Sequence, residues 1–89
     1  MRTEEIHGQV TALLVEVIGD DPRWAPLRTA RLDEDLRMES VEVLALAARL
    51  RERFGERVDL PGYLAGLDID GIIELTVGDV VDYVARVAG

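Results

Sequence analysis

Ser40 is the only serine in the chain and His7 the only histidine, while cysteine and lysine are absent. Those facts narrow the chemistry before any fold is considered. A serine activated within its own protein needs a base in hydrogen-bond reach. His7 lies near the start of the first helical stretch and Ser40 at the start of the second. If the two helices pack antiparallel, they stand at opposite ends of a bundle. A serine–histidine pair is therefore not expected, and His7 reads as a lone surface residue with no specific task. Without cysteine there are no disulfides, thiolate metal sites or thiol nucleophiles. A glycine-rich phosphate loop would need the lysine that is missing. Carboxylates alone would have to hold a metal. Asp68 with Asp70, or Asp33 to Asp35, lack the spaced ligands and closing glutamate of a calcium loop, so solvated acidic loops are expected there. The chain reads as neither an enzyme nor a metal protein.

Ser40 remains, standing where an acidic, irregular stretch meets a helix. A serine there commonly serves as an N-cap and nothing more. The same place also suits a phosphodiester, because free N–H groups and the helix dipole favour negative charge. Asp33, Glu34, Asp35, Glu39 and Glu42 would present a negative collar to a basic visitor, with Met38 and Val41 adding apolar contact.

The elements that must hold this hydroxyl follow from periodicity. Ile6, Val10, Leu13, Leu14, Val17 and Ile18 form the stripe of a first helix, with Thr3 as its expected cap and Gly19 as its stop. A long connection from Asp20 to about Glu39 carries Pro22, Trp24 and Pro26, and loops of that length are usually functional. The second helix starts at Ser40, with Val43, Leu46, Ala47, Leu50 and Phe54 on one face and Gly55 ending it. Pro61, Gly62, Gly66 and Gly71 mark a loop with short helical turns around Tyr63–Leu67 and Asp70–Glu74. Thr76-Val77-Gly78-Asp79 resembles a capping box and opens the last helix, whose Val77, Val80, Val81, Val84 and Val87 recur every three or four residues. A strand would alternate every two. The expectation is a single all-α domain over 1–89, a bundle of three main helices plus one short one with a long first loop.

Composition agrees with one small core. The chain has 89 residues, 48% of them hydrophobic, and no apolar run long enough to span a membrane. Met1-Arg2-Thr3-Glu4-Glu5 has none of the features of a signal peptide, so the cytoplasm is the expected compartment. Eighteen acids against ten arginines give a net charge of -8. That charge argues against nucleic acid or an anionic membrane and for proteins with basic docking patches.

Asp35-Leu36-Arg37-Met38-Glu39-Ser40-Val41 resembles the signature of the acyl carrier proteins, in which Asp-Ser-Leu follows an aspartate, a leucine, a glycine and an apolar residue. Leu50-Arg51-Glu52-Arg53-Phe54-Gly55 resembles the end of that family's second helix, and Leu60-Pro61 falls where the family often has an apolar residue and proline. Thr76 to Val84 is similar to its closing helix. The likeness runs through nearly the whole chain in the right order, and its specificity lies in the combination.

The resemblance implies a monomer that carries acyl groups as thioesters on a 4′-phosphopantetheine arm. A separate Mg²⁺-dependent phosphopantetheinyl transferase would attach that arm to Ser40 from coenzyme A. It further implies docking through Asp35, Met38, Glu39, Val41 and Glu42 to ketosynthase, acyltransferase or acyl ligase enzymes. An acyl pocket would lie among Leu46, Ala47, Leu50, Val80 and Val84. Three positions depart from the pattern: Glu39 stands for aspartate, Val41 for leucine and Arg37 for glycine. Arg49, Arg51, Arg53 and Arg57 lie where the family is commonly acidic, giving either a second, basic docking zone or a solvated face paired with Glu52 and Glu56. The segment between Pro61 and Thr76 is longer than usual. These departures favour a stand-alone carrier of a polyketide or other natural-product pathway over the housekeeping fatty-acid carrier. Two other readings stay open: a peptidyl or aminoacyl carrier, and an acidic helical interaction module in which Ser40 is only a cap.

Overall fold

The structure is a computed structural model that describes residues 2–19 and 28–88. Trp24, Pro22 and Pro26, on which the expectation of a functional first loop partly rested, lie outside the described residues. Among those described, the architecture is all-α: α1 (Thr3–Ile18), α2 (Ser40–Phe54), α3 (Leu60–Ala65), α4 (Ile69–Ile73) and α5 (Val77–Ala88).

In α1 the i, i+4, i+8 residues Ile6, Val10 and Leu14 are fully buried, and Gly19 ends the helix in the left-handed conformation at φ 70°. Thr3 is not its cap, contrary to the sequence reading. The carbonyl of Arg2 already accepts from the N–H groups of Glu5 and Ile6, which places Thr3 inside the first turn. In α5, Val77, Val80, Val81 and Val84 are buried as the spacing requires. Its capping box is present: Thr76 N–H donates to Asp79 Oδ2 at 3.0 Å, and Asp79 N–H donates to Thr76 Oγ1 at 3.1 Å.

α1 packs against both α2 and α5. Arg53 Nε donates to Gln9 and Arg49 pairs with Glu16, so residue numbers fall along one helix as they rise along the other, the mark of an antiparallel pair. Leu46 and Leu50 of α2 join the α1 and α5 residues in the core. Each such leucine contributes about 1.5–3 kcal/mol by leaving water.

The second half of the first loop is tied to the start of α5. Gly78 N–H donates to Arg28 O at 2.8 Å, Val77 N–H to Ala30 O at 2.9 Å and Leu32 N–H to Leu75 O at 3.0 Å. One guanidinium nitrogen of Arg28, Nη2, donates to both carboxylate oxygens of Asp82 at 2.8 and 2.9 Å. Glycine suits position 78, where a Cβ would stand 3.0 Å from Arg28 O, closer than most such contacts.

Both short turns expected around Tyr63–Leu67 and Asp70–Glu74 form helices, one more than the single short helix expected of the bundle, and both begin earlier than the sequence reading placed them. Asp59 accepts from Gly62 N–H at 3.2 Å and starts α3, with Pro61 in the first turn, where its missing N–H costs nothing. Asp68 accepts from Gly71 N–H at 2.7 Å and starts α4. Tyr83 of α5 fastens α3 from below: its hydroxyl accepts from Asp59 N–H at 2.8 Å and its ring stacks on Tyr63 with centroids 4.5 Å apart.

Candidate functional site around Ser40

Ser40 is the first residue inside α2 and exposed, and its side chain makes no hydrogen bond among the described residues. The expectation that it could be the N-cap is corrected. Glu39 takes the extended cap conformation at φ -84°, ψ 163°, and its carbonyl accepts from the N–H groups of Glu42 and Val43. Glu42 returns its carboxylate to Glu39 N–H at 2.9 Å, while the Glu39 side chain turns to the Glu42 N–H. Two glutamates thus form the capping box, and the serine hydroxyl is left to solvent.

The turn that delivers Ser40 is closed by Leu36 N–H donating to Arg31 O at 3.0 Å and Met38 N–H donating to Leu32 O at 3.0 Å. Asp35 Oδ2 accepts from Arg31 N–H at 2.8 Å, and Glu34 pairs with the Arg31 guanidinium at 2.9 Å. Most of the acidic collar therefore also builds the turn and the cap. Met38, expected as a docking residue, lines the cavity beside Ser40 from within. It is only 7% exposed, because the turn drives it into the core beside Leu32.

An apolar cavity of about 440 Å³ opens next to Ser40. Val43, Leu44 and Ala47 of α2 form one wall, Leu60 and Leu64 of α3 another, and Ile72 of α4 the lip. Ser40 and Asp33 are its polar lining residues. This is not the pocket expected from the sequence. Leu46, Leu50, Val80 and Val84 are at most 1% exposed in solid core, and Ala47 alone of that set reaches the cavity. The physical reason is length: α1 runs beside α2 and α5 and fills the space between them, whereas α3 and α4 are too short to close over α2.

Val41 and Leu44 are 67% and 60% exposed, and Ile69 of α4 is 73% exposed, with Ile72 and Ile73 also uncovered. Sequence reasoning missed Leu44 and the three isoleucines. The available signal was an apolar residue lying off the buried stripe of α2 and an apolar cluster in a helix too short to bury it. Around them stand Asp33, Asp68, Asp70 and Glu74, all exposed. The arginines of α2 divide. Arg49 and Arg53 clamp α2 to α1 through Glu16 and Gln9, not through Glu52 or Glu56. These two arginines thus bridge the helices at the surface.

His7 lies on the part of α1 that Arg53 reaches, thirteen residues along α2 from Ser40, or about 20 Å of helix. It is half-buried, not a surface residue, and its Nδ1 has no hydrogen-bond partner among the described residues. Among the described residues no cluster of three or more metal-ligating side chains occurs, and no helix is long and apolar enough to cross a membrane. No protein-family model matches the chain, and no curated protein or solved structure matches it.

Proposed function

We infer that the chain is a stand-alone acyl carrier protein modified with 4′-phosphopantetheine on Ser40, working in a polyketide or related natural-product pathway. The observation that carries this reading is a solitary serine hydroxyl, unused by the fold, at the rim of an apolar cavity. A fold that needed this serine as a cap would have bonded it, and glutamates cap α2 instead.

The arm would supply a thiol on a flexible tether, raising the effective concentration of an acyl group at each enzyme visited. The one histidine lies about 20 Å of helix away and the chain has no lysine, which suits a hydroxyl deprotonated by a visiting transferase. That side chain and the cavity beside it are compatible with the group: the oxygen is open to solvent, and the apolar walls have room for part of an acyl chain. Asp33, Asp35 and Glu39 give such a visitor a negative face. Val41 and Leu44 give it an apolar one, and Leu44 with α4 replaces Met38 in the docking surface. Ketosynthases, acyltransferases or acyl ligases with basic patches are the corresponding partners. Loading from coenzyme A fits a cytoplasmic, monomeric carrier.

Incubation with coenzyme A and a broad-specificity phosphopantetheinyl transferase, followed by intact mass, tests the reading. One added arm is expected. A folded sample that gains none with any transferase tried is the acidic interaction module instead. If the arm forms but takes only aminoacyl groups from an adenylating enzyme, the cargo assignment fails.

A further inference from the structure

Arg37 has φ 51°, the only positive value at a non-glycine position among the described residues. The turn dictates that backbone: Leu36 must close onto Arg31 and Met38 must drop into the core within two residues, so residue 37 reverses the chain. It does not dictate the side chain. Glycine adopts this conformation freely and asparagine or aspartate readily, whereas arginine is strained there. Strain kept at a site that a permissive residue would relieve points to a role for the side chain.

The surroundings say which role. Between residues 33 and 42 Arg37 is the one base among five acids. It is exposed and pairs with none of them among the described residues, while Glu34 is taken by Arg31, Asp35 by a backbone N–H and Glu42 by the cap. Arg37 and Ser40 are three residues apart, so their Cα atoms are separated by at most about 11 Å. A phosphate ester at Ser40 would add negative charge beside Glu39 and Glu42, and among the described residues Arg37 is the base nearest to Ser40 along the chain and is unpaired. We propose that Arg37 is the phosphate-binding residue of the Ser40 site, engaging a phosphate ester carried by Ser40 or presented to it on coenzyme A. The inference rests on the carrier reading.

Arg37→Gln and Arg37→Lys keep the same backbone strain and differ in charge. Loading kinetics with the transferase report the incoming phosphates. The change in melting temperature between unmodified and modified protein reports the resident one. In low salt Arg37→Gln is expected to lose about three- to fivefold in loading kcat/KM, or about 3 °C of the stabilisation that modification gives the wild type, with Arg37→Lys restoring most of either. The difference should fade toward 1 M salt, where the screening length is about 3 Å. A loss in loading alone assigns Arg37 to coenzyme A, and a loss in melting alone to the attached ester. Arg37→Gln matching the wild type in both, while the wild type is modified normally, overturns this inference and leaves the carrier reading intact. Failure to modify the wild type overturns both.

Discussion

Ser40→Ala and Glu42→Ala should behave oppositely in stability and in modification, and the contrast separates a cap from a tether. Glu42 Oε1 accepts the Glu39 N–H at 2.9 Å, and its charge lies at the positive end of α2. Removing it deletes one charge-assisted bond and one dipole interaction at an exposed site, about 1 kcal/mol together. For a domain of 89 residues that is a fall of roughly 5 °C in Tm, or about 0.5–1 M in the urea midpoint. Ser40 makes no bond to lose, and alanine has a better helix propensity than serine, so Ser40→Ala should stay within about 0.5 kcal/mol of wild type. Urea unfolding followed by far-UV circular dichroism reads both values. Glu42→Ala should still take the arm, while Ser40→Ala should not. If Ser40→Ala falls as far as Glu42→Ala, the serine is serving the helix and the assignment of the cap to Glu39 is wrong.

Two further substitutions probe how the site is held. Gly78→Ala would press a methyl group against Arg28 O at 3.0 Å and part the first loop from α5, with an expected loss of about 1–3 kcal/mol by chemical denaturation. An unchanged midpoint would contradict that close approach. Tyr83→Phe keeps the stack on Tyr63 but removes the acceptor for Asp59 N–H, costing about 1 kcal/mol, with the fastest added amide exchange at Asp59 and along α3.

Where a residue's position followed from periodicity or a local box, the sequence was enough. The stripes of α1, α2 and α5, the stop at Gly19 and the Thr76–Asp79 box all needed only neighbours three or four residues away. What the sequence hid depended on competition or on packing between elements. Glu39 outcompetes the adjacent serine as cap because Glu42 stands three residues on to complete the box, a pairing obscured by serine's stronger capping preference. Asp59 and Asp68 hid as helix starts among the prolines and glycines that mark loops. A stripe shows which face of a helix turns inward but not where opposing helices fail to meet. The cavity beside Ser40 therefore shares only Ala47 with the pocket expected among Leu46, Ala47, Leu50, Val80 and Val84, and Arg49 and Arg53 meet partners on α1 that spacing along α2 does not show.

The most direct measurement is peptide mapping of the protein after treatment with coenzyme A and transferase. Trypsin cuts after Arg37 and Arg49, and the fragment from Met38 to Arg49 contains one hydroxyl side chain, that of Ser40. The account predicts the whole added mass on that fragment, placed on Ser40 by fragmentation. An arm found on any threonine or tyrosine fragment, or an unmodified 38–49 fragment from a folded protein, would contradict it.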